Sequence, residues 1–331
     1  MITHDRVTNF LLESQFSSKD LWKLVKRDVR QVESDDGVLI FDDTIEAKPY
    51  TDENEIICYH WDHCQGRHVK GVNLLNCLYY SQGMSLPLAF DIIRKDEVYV
   101  DPKDKKTKRR ASITKNELMR NQLRQVQRNQ VKYRYVLTDI WFASTENMTF
   151  IKKKLKKEFI MAFKSNRLAA LSEEEKLQGK WKNIESLDME NQQVLQVYVK
   201  GVEFPLLLTQ RVFTNKDGSQ GTLYLVCSDL NLNSEHIQTI YQKRWKVEEV
   251  HKSVKSNASF AKSPTRVWRT QTNHFFAAIY AFVKLERMRM KHKLNHFALK
   301  ARLYINANKA AFSELQNLKM QPQQEQQKPC T

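Results

Sequence analysis

Val38-Leu39-Ile40-Phe41-Asp42-Asp43-Thr44 runs four apolar residues straight into two carboxylates. Placed after Gly37 and before polar residues, the apolar run suits a strand buried on both faces at the centre of a sheet. A second run, Tyr133-Arg134-Tyr135-Val136-Leu137-Thr138-Asp139, closes in the same way. An acidic side chain at such a strand end stands at a sheet rim, where the ligands of α/β sheets gather. Each Asp taken singly reads as a turn residue or helix cap. Two of them closing two buried strands read as the start of a site.

Working outward, Val69 to Tyr80 and Leu86 to Val100 carry β-rich patterns that suit strands beside the first. Val7, Phe10 and Leu11 recur at helical spacing, and Ser17-Ser18 can cap a helix through Leu21, Trp22, Leu24 and Val25. Residues 101–110 read as a basic loop, and Thr114 to Arg128 as a helix with Leu118, Met119, Leu123 and Val126 on its apolar face. Ser144 opens a further helix that carries the lysines of 152–157. From Phe159 to Ser228 the pattern is strand-rich, with Asn215-Lys216-Asp217-Gly218 as a hairpin turn. From Ser234 to Leu318 it is helical again, and the Gln-rich end reads as frayed.

The chain has 331 residues, with 54 Lys+Arg against 38 Asp+Glu and a formal charge of +16. At 41% hydrophobic it can bury a core, which excludes wholesale disorder. Eight Gly and seven Pro exclude collagen-like and Gly-loop-rich architectures. No apolar run approaches a membrane span, and the first residues lack the apolar segment of a signal peptide. The expectation is a cytoplasmic, nucleoid-associated protein that meets no membrane. The excess positive charge points to an anionic partner. It lies in three blocks, Lys103–Arg110, Lys152–Lys157 and Arg287–Lys293, which together favour nucleic acid. Cys58, Cys64, Cys77, Cys227 and Cys330 form no CxxC pair, so neither a thiolate zinc site nor a disulfide framework is expected. His60, His63 and His68 around Cys64 lack a second ligand cluster and read as a polar loop.

Ile240-Tyr241-Gln242-Lys243-Arg244-Trp245-Lys246-Val247-Glu248-Glu249-Val250-His251-Lys252-Ser253-Val254-Lys255 reads as one helix. At about 100° per residue, Tyr241, Arg244, Glu248 and Lys255 share an arc of roughly 60°. Ile240, Val247, Val250 and Val254 form the opposite, buried stripe. Glu249 points about 100° away. A salt-bridged surface helix shows the same stripe, so spacing alone leaves that alternative open. Trp245 lies beside the stripe, placed either to stack on a base or to pack. Arg266, Trp268, Arg269 and His274 interleave cations with an aromatic, as a DNA-backbone surface or a capped helix start does.

Tyr241-x2-Arg244-x3-Glu248-x6-Lys255 resembles the Y-x2-R-x3-E-x6-K signature of bacterial DDE transposases of the insertion-sequence-four family. Asp-Asp-Thr at 42–44 and Leu137-Thr138-Asp139 look like the first and second catalytic aspartates of that family, over roughly residues 35–290. The resemblance implies an α/β fold: a ribonuclease-H-like mixed sheet flanked by helices, with an all-β insertion before the last catalytic helix. It divides the chain into a short helical region at 1–34 (a compact or truncated DNA-binding part), the first part of the core at 35–158, a β-rich insertion at 159–230, a helical remainder of the core at 231–318 and a disordered tail at 319–331.

The implied activity is cleavage of the element's ends and their joining to target DNA, by a homodimer acting on double-stranded inverted repeats. The alternatives are a relic that only binds DNA and a related metal-dependent nuclease. The implied metal ligands are Asp43, Asp139 and Glu248, holding two Mg²⁺ or Mn²⁺ ions, with Asp42 as the alternative to Asp43. Asp43 is preferred because it directly precedes Thr44, which leaves Asp42 pointing into the fold. Tyr241, Arg244 and Lys255 are the DNA contacts the resemblance implies, and Trp245, Arg266 and Arg269 join them on the residue pattern alone.

Overall fold

The computed structural model describes residues 4–62, 65–215, 217–263 and 265–320. His63, Cys64, Lys216, Cys330 and the tail beyond 320 therefore lie outside the described residues. The chain divides into two units, Met1–Val283 and Lys284–Thr331.

The first unit is built on a mixed sheet of eleven strands among the described residues. An interior strand near one end of it is β1 (Val38–Ala47), whose first four residues are fully buried. On one side β1 pairs antiparallel with the long β3 (Arg67–Ser81), which also carries β2 (Cys58–Asp62) and β4 (Met84–Ile92) on its far edge. The β1–β3 pairing needs Gly71, because a Cβ there would collide with the Glu46 carbonyl. A separate hairpin follows, β5 (Glu97–Val100) with β6 (Thr107–Arg110). The last four residues of the basic loop expected over 101–110 are thus strand, with Lys108 bonded to Asp101 and Arg110 to Glu97.

On its other side β1 pairs in parallel with β7 (Tyr135–Thr138), and β7 in parallel with β8 (Glu158–Phe163). The order β4-β3-β1-β7-β8, with β3 alone reversed against β1, fits a ribonuclease-H-like sheet. The strands that follow extend the same sheet: β9 (Leu168–Ala170), β10 (Lys182–Asn183), β11 (Val194–Val199), β12 (Leu206–Thr214) and β13 (Gln220–Cys227).

The first two helices are α1 (His4–Glu13) and α2 (Ser18–Val32), the latter started by a Ser17/Asp20 capping box. Next comes α3 (Lys115–Arg128), N-capped by Thr114. Leu21, Val25 and Val29 of α2, and Met119, Leu123 and Val126 of α3, are buried. These two helices pack on β3 and β4. Two short helices, α4 (Thr145–Thr149) and α5 (Glu173–Leu177), lie between strands. The late helices are α6 (Ser234–Gln242), α7 (Trp245–Asn257) and α8 (Trp268–His292). The single helix expected over 240–255 is two, because the chain tightens to three-residue bonds at Lys243→Ile240 and Arg244→Tyr241. Val247, Val250 and Val254 on α7 are buried. They line a small cavity with Leu74, Leu78 and Pro87, which seats α7 on the sheet face opposite α3. Each such side chain contributes about 1.5–3 kcal/mol.

The second unit contains the end of α8 and α9 (His296–Met320). Within it the buried Glu286 carboxylate accepts from Arg289 and is bonded to His296. No helix among the described residues is long and apolar enough to cross a membrane.

Candidate active site

The parallel pairing of Phe41 with Thr138 brings Asp42 and Asp139 out side by side where β7 stops; β1 does not end at Asp42-Asp43-Thr44 as its sequence suggests but runs on to Ala47, paired with β3, so Asp42 lies in mid-strand. Both carboxyls are titrated upward. Burial lifts Asp42 to about 7, with the Asp139 charge adding to it and Arg244 opposing. Burial also raises Asp139, the Asp43 charge adds to it, and the N–H groups of Trp141 and Phe142 oppose. Trp141 N–H donates to Asp139 Oδ1 at 3.0 Å, so the turn after β7 fixes the direction of that carboxylate.

Adjacent strand residues point to opposite faces, and this settles where the Asp pair looks. Asp42 lies opposite Asn76 of β3, whose side-chain amide meets His251 of α7 at 3.0 Å. On that face the Arg244 guanidinium stands 3.5 Å from Asp42 and donates to Glu248 at 2.8 Å. Asp43 looks the other way. Its oxygens accept from Lys115 Nζ at 3.0 and 2.9 Å and from Asn73 at 2.6 Å. Asp42 thus faces α7 and Asp43 faces the first residue of α3, while the Asp43 charge still acts on Asp139.

The stripe residues divide by role. Arg244 has a side chain only 13% exposed, and its Nε is buried with no hydrogen-bond partner. Lys255 donates to the Ile45 carbonyl at 2.8 Å, beside the end of β1. Tyr241 is buried, and its hydroxyl donates to the Thr138 carbonyl at 3.1 Å, which pins α6 to the residue before Asp139. Burial raises its pKa. In this arrangement the Tyr241 ring packs between α6 and the end of β7. Trp245 is 57% exposed, with the Arg244 guanidinium over its ring. Glu249 is bonded to Lys246 on the outer side.

Farther away, Arg266 and Arg269 are exposed, while His274 is bonded to the carbonyls of Ser259 and Phe260. The second basic block is partly structural: Lys152 donates to Glu158, and Lys157 to the Tyr133 carbonyl. His60 is buried against Cys58, and burial holds it down near 3.

Sequence reading missed Lys115, Asn73, Asn76 and His251. Only His251 left a signal, since three residues after Glu248 it extends the same helical arc. It is half-buried, and desolvation depresses its pKa to about 3, so it serves as a neutral hydrogen-bonding partner.

The donor set of Asp42, Asp139 and Glu248 is all carboxylate oxygen, which suits Mg²⁺ or Mn²⁺. Asp42 and Asp139 stand side by side, and burial chiefly, with the Asp139 charge second, raises the Asp42 carboxyl. Among the described residues no three such side chains stand close enough to chelate one ion as they are. Arg244 bridges two of them.

A family model described as a transposase DDE domain matches residues 33–283. No curated protein matches the chain. A solved structure, the Drosophila P element transposase strand transfer complex, is similar at 11% identity and a TM-score of 0.20. That likeness covers 46% of this chain and 36% of the other, so the chain spans about a third of its length.

Proposed function

The chain belongs to the transposase DDE domain family, and from that premise we propose that it cuts the ends of a DNA element and joins them to target DNA, with Asp42, Asp139 and Glu248 as its three catalytic carboxylates. The observation that carries this reading is the convergence at one sheet rim: Asp42 and Asp139 on adjacent parallel strands, and Glu248 tied to Asp42 through Arg244. In finer terms, we read Tyr241, Arg244, Glu248 and Lys255 as the Y-R-E-K set of the insertion-sequence-four type, and the stretch after β8, up to 230, as its insertion, since β8 within the expected 159–230 belongs to the core sheet.

Asp42, Asp139 and Glu248 would hold the divalent ions. When bound, such ions neutralise the non-bridging phosphate oxygens and activate water or a 3′-hydroxyl. The protein's own groups do the rest. The Trp141 N–H holds Asp139 in one direction, and the Tyr241 hydroxyl keeps the end of β7 against α6. The unsatisfied Arg244 Nε and the Lys255 ammonium suit phosphate oxygens of double-stranded DNA, with Trp245, Arg266 and Arg269 as further contacts. A homodimer that holds two DNA ends belongs to the same reading.

The test is strand cleavage in Mg²⁺ of a DNA fragment ending in the element's own repeat. Glu248→Gln keeps side-chain size but removes a metal-holding charge, so cleavage should fall by orders of magnitude while DNA binding survives. Glu249→Gln should cost far less. Equal loss in both, or DNA binding by a wild-type protein that never cleaves, would favour a DNA-binding relic.

A further inference from the structure

β5 and β6 stand apart from the main sheet as a two-stranded ribbon, joined by a turn over 101–106. None of the strand residues of the ribbon is buried. A ribbon of this kind is marginal in water by itself, and this one adds nothing to the core. Strand alternation gives it two unlike faces. One carries Glu97, Tyr99, Lys108 and Arg110 and is closed on itself. Arg110 is bonded to Glu97 and lies over the Tyr99 ring, and Lys108 is bonded to Asp101 and Asp104. The other face carries Val98 and Val100, 56% and 61% exposed, with Thr107 opposite Val100. Arg109, opposite Val98, stands 3.9 Å from Glu53 and belongs to the root of the ribbon. Between Glu97 and Arg110 there are six cations and three carboxylates. Lys108 and Arg110 take up all three carboxylates, so Lys103, Lys105 and Lys106 place a surplus of positive charge at the exposed turn.

We propose that the β5–β6 ribbon is a major-groove arm: Val98, Val100 and Thr107 lie against base edges, chiefly thymine methyl groups, and the turn lysines hold the bordering phosphates. The inference rests on the reading of double-stranded DNA as the partner given above, and it uses none of the carboxylate residues. The major groove, about 12 Å wide, admits a two-stranded ribbon, whereas the minor groove, about 6 Å wide, does not. Thymine methyl groups stand on the major-groove floor, and phosphates line its edges. An apolar face that ends in lysines matches that arrangement. An apolar protein surface would match the valines and leave the lysine surplus without a counter-charge.

The experiment measures affinity for a duplex ending in the element's own repeat, and for the same duplex with uracil in place of thymine. The exchange removes only the ring methyl groups. Wild-type protein should bind the thymine duplex about tenfold more tightly, in line with roughly two methyl groups buried. The double variant Val98→Ser/Val100→Ser should bind both duplexes alike, at the wild-type level for uracil. The wild-type comparison involves no substitution, so a folding defect cannot imitate it. Lys103→Gln, Lys105→Gln and Lys106→Gln combined should lower the salt slope by about two to three units on both duplexes. Equal wild-type affinity for the two duplexes, or a thymine preference that survives in the valine variant, would overturn the arm. A changed oligomeric state of the valine variant without DNA would assign this face to a second copy and overturn it as well. Cleavage of the thymine duplex in Mg²⁺, run alongside, separates two failures. Cleavage without thymine preference sinks the arm alone, whereas no DNA binding by wild type sinks both readings.

Discussion

Arg244 stands 3.5 Å from Asp42 while donating to Glu248 at 2.8 Å, so one guanidinium serves two carboxylates that the proposed chemistry assigns to metal. Its side chain is 13% exposed, and the neighbouring Asp139 adds negative charge to the same space. In the DNA-free protein Arg244 is thus the cation that makes the carboxylate cluster tolerable. Phosphate and the carboxylates compete for it.

Replacing Arg244 with Gln should therefore have opposite effects on two ligands. Mn²⁺ binding without DNA, followed by titration calorimetry or electron paramagnetic resonance, should tighten by at least about tenfold, since a unit positive charge a few ångströms away opposes a divalent ion strongly in a partly buried site. DNA binding should weaken, with the salt slope falling by about one unit. Weaker Mn²⁺ binding in the variant would mean that Arg244 organises the carboxylates rather than competing for them.

Tyr241→Phe removes the hydroxyl that donates to the Thr138 carbonyl at 3.1 Å and leaves the ring in place. The expected cost is about 1 kcal/mol of stability, that of one neutral hydrogen bond, read by denaturant unfolding. The salt slope of DNA binding should not move. A lower slope with unchanged stability would restore Tyr241 as a DNA contact.

Asp91 on β4 gives a pH test away from the carboxylate cluster. Burial raises its carboxyl from 3.8 to about 6, and the Gln122 amide, donating at 2.7 Å, opposes this only in part. A carboxyl raised on folding is protonated in the folded chain over a range where the unfolded chain has already lost the proton. Its contribution to stability is fully present below the unfolded value and falls as pH climbs through the folded one. Asp91→Asn, which keeps an acceptor for Gln122, should match wild type near the low end of that window. Above it the variant should be more stable by about 2 kcal/mol, in line with a shift of this size in a partly buried group. Parallel melting curves of the two proteins across that window would show the gap, and no divergence would refute the buried-carboxyl account.

The strands that carry the site were legible because both contain apolar runs that meet Asp, which marks interior strands; β7 does stop before Asp139, whereas β1 runs on past Asp42 because its pairing with β3 continues to Ala47. The helix with Glu248 was legible from its apolar stripe, down to the valines that seat it. Three features were not. The break at Lys243-Arg244 is a local tightening to three-residue bonds, which periodicity does not register. Strand character at 107–110 was hidden because Lys108 and Arg110 find acidic partners only across a hairpin. The facing of Asp42 and Asp43 depends on which helix packs on which side of β1. Lys115 and Arg244 decide that, and both are far from the pair in sequence.

Asp42 and Asp43 provide the most direct test of the site. They are adjacent, alike in chemistry and opposite in direction: Asp42 meets Arg244, and Asp43 meets Lys115 and Asn73. Asp42→Asn should lower Mg²⁺-dependent strand cleavage by orders of magnitude, because it removes a metal-holding charge, and should leave DNA affinity near wild type. Asp43→Asn breaks a partly buried pair with Lys115 instead. Its cost should appear mainly in stability, about 1 kcal/mol or somewhat more, with cleavage reduced by no more than about tenfold. The Mn²⁺ affinity of each variant gives a second readout that does not depend on turnover, and it should drop in Asp42→Asn alone. Loss of both cleavage and Mn²⁺ binding in Asp43→Asn, with Asp42→Asn spared, would return the first carboxylate to Asp43 and require β1 to rotate when DNA binds.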